Sequence, residues 1–219
     1  TLFIDQHSKY FMPSARFVLL GGQRSFPIKK NNWGKVSFKT IPIWAHTLDY
    51  DHYLGHDKIN EFKNIKYAVF IDNYMPFHED PKRSGKKPRE NPIIYYPELC
   101  SFFDLINMKN GYEVIIAAHP RSNYNKLPDY FNGRKIIKGK THDLIKNSQF
   151  VIMHVSASIA FPVLYDKPII FITSDRLKKT KFNMTISTYA KLFGKTPINI
   201  SNKMEQLNLV SELTIDRNK

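Results

Sequence analysis

Short apolar runs rich in β-branched and aromatic residues recur along the chain from about Ile65. Tyr67–Ile71, Glu113–Ala117, Lys135–Ile137, Phe150–Met153, Ile169–Ile172 and Pro197–Ile200 read as strands. Between them the apolar period changes. Leu99, Phe102, Phe103 and Ile106 define one face of a helix over Tyr95–Met108; Thr141–Asn147 gives a short helix capped by Thr141; Ile186–Phe193 gives a third, stopped by Gly194. Strands alternating with helices build βαβ units, so the pattern predicts a doubly wound α/β domain with a mainly parallel sheet over residues 65–205. Upstream, FVLLGG (Phe17–Gly22) reads as a strand running into a glycine turn and Ile41–Trp44 as another short strand, with a basic, turn-rich stretch, Gln23–Lys39, between them. The chain opens at Thr1 directly on an apolar stretch, so residues 1–64 are expected to be the remnant of a preceding α/β domain and its linker, and residues 206–219 a tail. HEDPKRSGKKPREN (His78–Asn91) is dense in charge and carries two prolines, which predicts a mobile loop.

Composition narrows the classes. At 219 residues, with 42% hydrophobic and 14% aromatic content, there is material for a sizeable core, and wholesale disorder is disfavoured. No run approaches the ~18 apolar residues of a spanning helix, and the first residues lack a secretory-signal pattern. A single cysteine, Cys100, excludes an internal disulfide and suits a reducing, cytoplasmic compartment. Lys and Arg total 33 against 19 Asp and Glu, a net charge of +14 that calls for an anionic partner: nucleotide, phospholipid surface, acidic glycan or nucleic acid.

The candidate chemistry gathers around Asn147–Ser174, which reads as strand, turn, helix, strand. Ser156 and Ser158 fall at the mouth of the helix, where hydroxyls and backbone N–H groups can hold a phosphate or simply cap the helix. The other polar residues fall at the carboxyl ends of strands in the same way: Asp72 after the first; His119, Pro120 and Arg121 after the second; Gly139, Lys140 and Thr141 after the third; His154, Ser156 and Ser158 after the fourth; Thr173 and Ser174 after the fifth. In an open parallel sheet that edge binds ligands, so one crevice can collect groups far apart in sequence. Neither the dinucleotide glycine fingerprint nor a P-loop is present, which argues against NAD and ATP. The mixed stretch with His46, Asp49, Asp51, His52 and His56 reads as solvated surface in preference to a metal site.

AAHPRSNY (Ala117–Tyr124), followed by IIKGKTHDLIKNSQFVIMHVSASIAFPVLYDKPIIFI, resembles the carboxyl-terminal, nucleotide-binding half of bacterial surface-polysaccharide glycosyltransferases of the GT-B fold. The likeness is to the capsule, O-antigen and polysialyl or Kdo transferase group. It rests on His119-Pro120 and Ser156-Ala157-Ser158, touches DYDHYL (Asp49–Leu54) and FIDNYMPFHED (Phe70–Asp80), and covers roughly residues 45–200. The resemblance implies two Rossmann-like domains with a nucleotide-sugar donor in the cleft, a glycan or glycolipid acceptor, no cofactor and no metal. His119 and the two serines would hold the donor phosphate, and a carboxylate base would come from the amino-terminal domain. Pro162 departs from the expected pattern, falling where a good helix former belongs.

The roles also have a physical basis of their own. Sugar transfer from a nucleotide builds negative charge on the departing phosphate, so fixed donors and cations aimed there lower the barrier. The candidate catalytic groups on this chain are His119 and Asp72; the candidate phosphate-binding groups are His119, Pro120, Arg121, Gly139, Lys140, Thr141, His154, Ser156 and Ser158. Each has a plain alternative: a structural histidine at a strand end for His119, a surface charge for Arg121, a basic turn for Lys138 and Lys140. The expectation is a glycosyltransferase fragment taking a CMP-activated acidic sugar first and a UDP-sugar next, cytoplasmic, with peripheral contact at the anionic inner face of a bacterial membrane. The alternatives are a polyol-phosphate transferase of the same fold and a non-enzymatic basic module binding nucleic acid. Scattered lysines and the absence of a nucleic-acid signature count against the last.

Overall fold

The computed structural model describes residues 14–21, 36–37, 39–55, 65–202 and 208–215. The chain divides into two compact units, Thr1–His56 and Asp57–Lys219. In the first, strands β1 (Phe17–Leu20) and β2 (Ile41–Trp44) pair in parallel, Phe17 opposite Ile41, and helix α1 (Leu48–Gly55) follows. Gly22, His56 and most of Gln23–Lys39 lie outside the described residues.

The second unit carries a six-stranded, all-parallel sheet of β3 (Tyr67–Ile71), β4 (Glu113–Ala118), β5 (Ile136–Lys138), β6 (Phe150–Met153), β7 (Ile169–Thr173) and β8 (Ile198–Asn199), in the spatial order β5-β4-β3-β6-β7-β8. Counted from β3, that is the 3-2-1-4-5-6 order of a doubly wound, Rossmann-like sheet, and the order reverses between β3 and β6. The expected α/β class is therefore observed.

Both faces of this sheet are covered, and the strand sequences say why. Side chains alternate with period two: Tyr67, Val69 and Ile71 join Val151, Met153, Ile169 and Phe171 in one core cluster, while Ala68, Phe70, Phe150, Ile152, Ile170 and Ile172 join the other. A strand buried on both faces must be apolar throughout, which is what the uninterrupted runs signalled. Helix α3 (Pro92–Asn110) covers one face with Tyr95, Tyr96, Leu99, Phe102, Phe103 and Ile106; α4 (Thr141–Asn147) and α5 (Ala160–Leu164) cover the other through Leu144, Ile145 and Phe161. Three helices differ from expectation. α3 starts three residues earlier than Tyr95, because Asn91 accepts the Ile93 N–H at its cap and Pro92 takes the first-turn position that needs no N–H. α7 (Lys181–Leu192) starts before Ile186, preceded by a one-turn α6 (Asp175–Lys178) capped by Ser174. Thr141 does not cap α4; it is the helix's first residue, with Lys140 at the cap position.

Two segments expected to lie outside the fold belong to it. His78–Asn91 holds helix α2 (Glu79–Arg83), capped by His78 accepting the Asp80 N–H, and it buries Pro81 and Glu90. The carboxyl-terminal stretch expected as a tail contains α8 (Leu209–Leu213), whose Leu209 is 4% exposed and packs in the α3-side core. Among the described residues no helix is long and apolar enough to cross a membrane.

Candidate functional site at the carboxyl edge of the sheet

β3 lies between β4 and β6, so the turns that follow these three strands are neighbours. With strands ~4.8 Å apart, the β4 and β6 ends stand ~10 Å apart, a span that a phosphate with its sugar can bridge. Asn73 ties the switch point together, its Nδ2 donating to the Val155 carbonyl at 2.8 Å. Its Oδ1 is buried and accepts no hydrogen bond from the described residues.

Asp72 is the anchor beneath the β4 turn. Its carboxylate accepts the Tyr74 N–H (2.8 Å), the Tyr124 hydroxyl (2.8 Å) and, more distantly, the His119 N–H (3.5 Å). Burial pushes this carboxyl up to about 6, against the lowering effect of those three donors. At 2% exposure it does not reach the crevice. The expectation of a catalytic Asp72 is thus corrected to a positioning role, holding the His119–Ser122 turn through Tyr124, which in turn meets the Tyr96 hydroxyl at 3.1 Å.

His119 is only partly buried. Its Nδ1 accepts the Arg121 N–H at 3.1 Å, which places the proton of the neutral ring on Nε2. Burial, helped by the neighbouring His78 and Arg121, pulls its pKa below the ordinary histidine value, so at neutral pH the ring is an uncharged donor. The His78 ring packs edge-on against it, 5.0 Å between centroids. Pro120 and Arg121 are exposed, the guanidinium 3.6 Å from Asp80 in a solvated pair worth little to stability.

The β5 turn lies alongside. Lys138 Nζ donates to the Ser122 carbonyl at 2.9 Å and so stitches the two turns together. Gly139 turns the chain at φ +79°, a conformation that side chains resist, which brings Lys140 and Thr141 to the start of α4.

At the β6 end the expectation divides. His154 continues the strand alternation after Phe150 and Ile152 and so points toward α3, fully buried, with Nε2 2.8 Å from the Tyr95 hydroxyl and Nδ1 2.8 Å from the Ile172 carbonyl. Burial pulls its pKa down to about 4. A ring with both nitrogens occupied inside the core does not bind phosphate, and His154 leaves the candidate set. Ser156 is the cap: its Oγ accepts the Ser158 N–H at 3.1 Å and opens a single 3-10 turn, Ala157–Ile159, that leads into α5. The hydroxyl hydrogen stays available to donate. Pro162 is the third residue of α5, within the first turn, where a missing N–H breaks no helix bond. Thr173 and Ser174 are structural, bonded to Asn183 and Glu90.

The residues that sequence reasoning passed over are Asn73 and Tyr124. Among the described residues no group of three or more His, Cys, Asp or Glu could hold a metal ion; His46 pairs with Asp51 at 3.7 Å instead.

Fold and site together define a doubly wound α/β protein whose candidate site residues gather at the turns around its strand-order reversal. No family model, no curated protein and no solved structure matches the chain.

Proposed function

We propose that the chain is a glycosyltransferase component that holds a nucleotide-activated sugar at this crevice, for synthesis of a surface polysaccharide. The resemblance carried by His119-Pro120 and Ser156-Ala157-Ser158 ranks a CMP-activated acidic sugar first and a UDP-sugar next. The observation that carries the reading is the neutral His119, its Nε2–H free of the Nδ1 hydrogen bond, on one side of the switch point with the Ser156 cap on the other. As the bond between sugar and phosphate breaks, negative charge grows on the phosphate. His119 Nε2–H and the Ser156 hydroxyl would meet it from groups already oriented by the Arg121 N–H and the Ser158 N–H, and the exposed Arg121 guanidinium would add positive charge beside them. The reading calls for no metal ion.

The test is CMP affinity in His119→Ala and in the Ser156→Ala/Ser158→Ala pair. Losing charge-assisted hydrogen bonds worth ~1.5–3 kcal/mol should raise Kd about 10- to 100-fold in each, with melting temperatures near that of the parent. Parental affinity in both folded variants would remove the site assignment.

A further inference from the structure

We propose that His78 is a second phosphate-holding residue of the crevice, its Nε2–H acting together with that of His119 on a single phosphate group. That the phosphate belongs to a nucleotide rests on the function proposed above; the pairing of the two rings does not. The histidines are used in the same way in two neighbouring turns. His78 Nδ1 accepts the Asp80 N–H at 3.2 Å, and His119 Nδ1 accepts the Arg121 N–H at 3.1 Å. In each neutral ring the proton is therefore on Nε2. The rings meet edge to face, 5.0 Å between centroids. Neither Nε2 has a hydrogen-bond partner among the described residues, and among those residues only Asn73 Oδ1 is both buried and unpartnered, so both Nε2 atoms reach solvent.

Capping alone does not call for histidine. Asn, Asp, Ser or Thr accept the same N–H with a shorter side chain and are the usual choices. What imidazole adds, at both turns, is a second nitrogen that donates. The His78 ring is also held in place from both flanks. Phe77 before it stacks on Tyr96 and packs against Tyr130, and Pro81 after it is buried. Two N–H donors on rings this close are within reach of one phosphate group, since each hydrogen bond spans ~2.9 Å. The exposed Arg121 guanidinium beside them supplies positive charge, and charge-assisted bonds of this kind suit a phosphate. The neighbouring carboxylates are engaged elsewhere: Asp80 lies 3.6 Å from Arg121 and 3.6 Å from the Nδ1 of His78, and Asp72 holds the His119 backbone N–H from within the core.

Imidazole nitrogen spectra of the full chain, labelled at histidine and titrated with CMP, inorganic phosphate and cytidine, test the pairing directly. CMP and phosphate should shift the Nε2 signals of both His78 and His119, and cytidine should shift neither. His78→Asn keeps an acceptor for the Asp80 N–H and removes the donor, so it should raise the Kd for CMP about tenfold while the melting temperature stays near that of the parent. Parental CMP affinity in the folded variant would reduce His78 to a helix cap and overturn the proposal. Shifts at His119 alone would do the same, with His78 then only supporting the other ring; the parent spectra decide this even if the variant folds poorly. Shifts at both rings with phosphate, but CMP bound no more tightly than phosphate, would leave the pair standing and remove the nucleotide reading.

Discussion

Asp72 and His154 are buried titratable groups whose pKa values move in opposite directions, one up to about 6 and the other down to about 4. The native state binds the Asp72 proton more tightly than the unfolded chain does, so the Asp72 contribution to stability is greatest below about pH 4 and declines as pH rises to about 6. His154 is held neutral in the native state, so its contribution is present above about pH 6.5 and is lost as pH falls toward 4. Each is worth ~3 kcal/mol across nearly the same window, and in the parent they largely cancel. Asp72→Asn should expose the histidine alone: its urea midpoint should fall more steeply than the parent's between pH 6.5 and pH 4.5. Parallel pH profiles would show that Asp72 is not buried as described.

The central strands β3, β6 and β7 were the most legible elements, because burial on both faces leaves no polar residue to interrupt an apolar run. The helices were less so. Asn91-Pro92 is a sound start signal, but Pro97, within the helix that follows, and the charged residues before it masked it; α6 and α8 are too short to develop a period. The turns that gather at the sheet edge could be placed from strand ends alone, which put His119 and Ser156 at the crevice. The same rule misplaced His154, where the strand alternation continued one residue past the strand and won. Partnerships such as Tyr124 with Asp72, 52 residues apart, have no local signature at all. For α8 the consequence is measurable. Leu209→Ala should lower the unfolding free energy by ~2–4 kcal/mol, read from the denaturant midpoint. A midpoint unchanged from the parent would mean that this helix does not dock on the α3-side core.

At the scale of the molecule, the charge of +14 is spread well beyond the crevice. If that field also holds the protein peripherally at an anionic membrane, vesicles containing phosphatidylglycerol should bind it at 0.1 M salt and release it at 1 M, as the Debye length falls from ~10 Å to ~3 Å. Equal binding to neutral phosphatidylcholine vesicles would reduce the charge to an aid to solubility. The central claim, however, is that the strand-order reversal between β3 and β6 is a nucleotide site. Backbone amide spectra recorded during a CMP titration test it most directly. The account predicts saturable shifts at His119, Arg121 and Ser122, at Gly139–Thr141 and at Ser156–Ser158, with the amides of α8 unmoved. Shifts confined to other surfaces, or none at millimolar CMP, would contradict it.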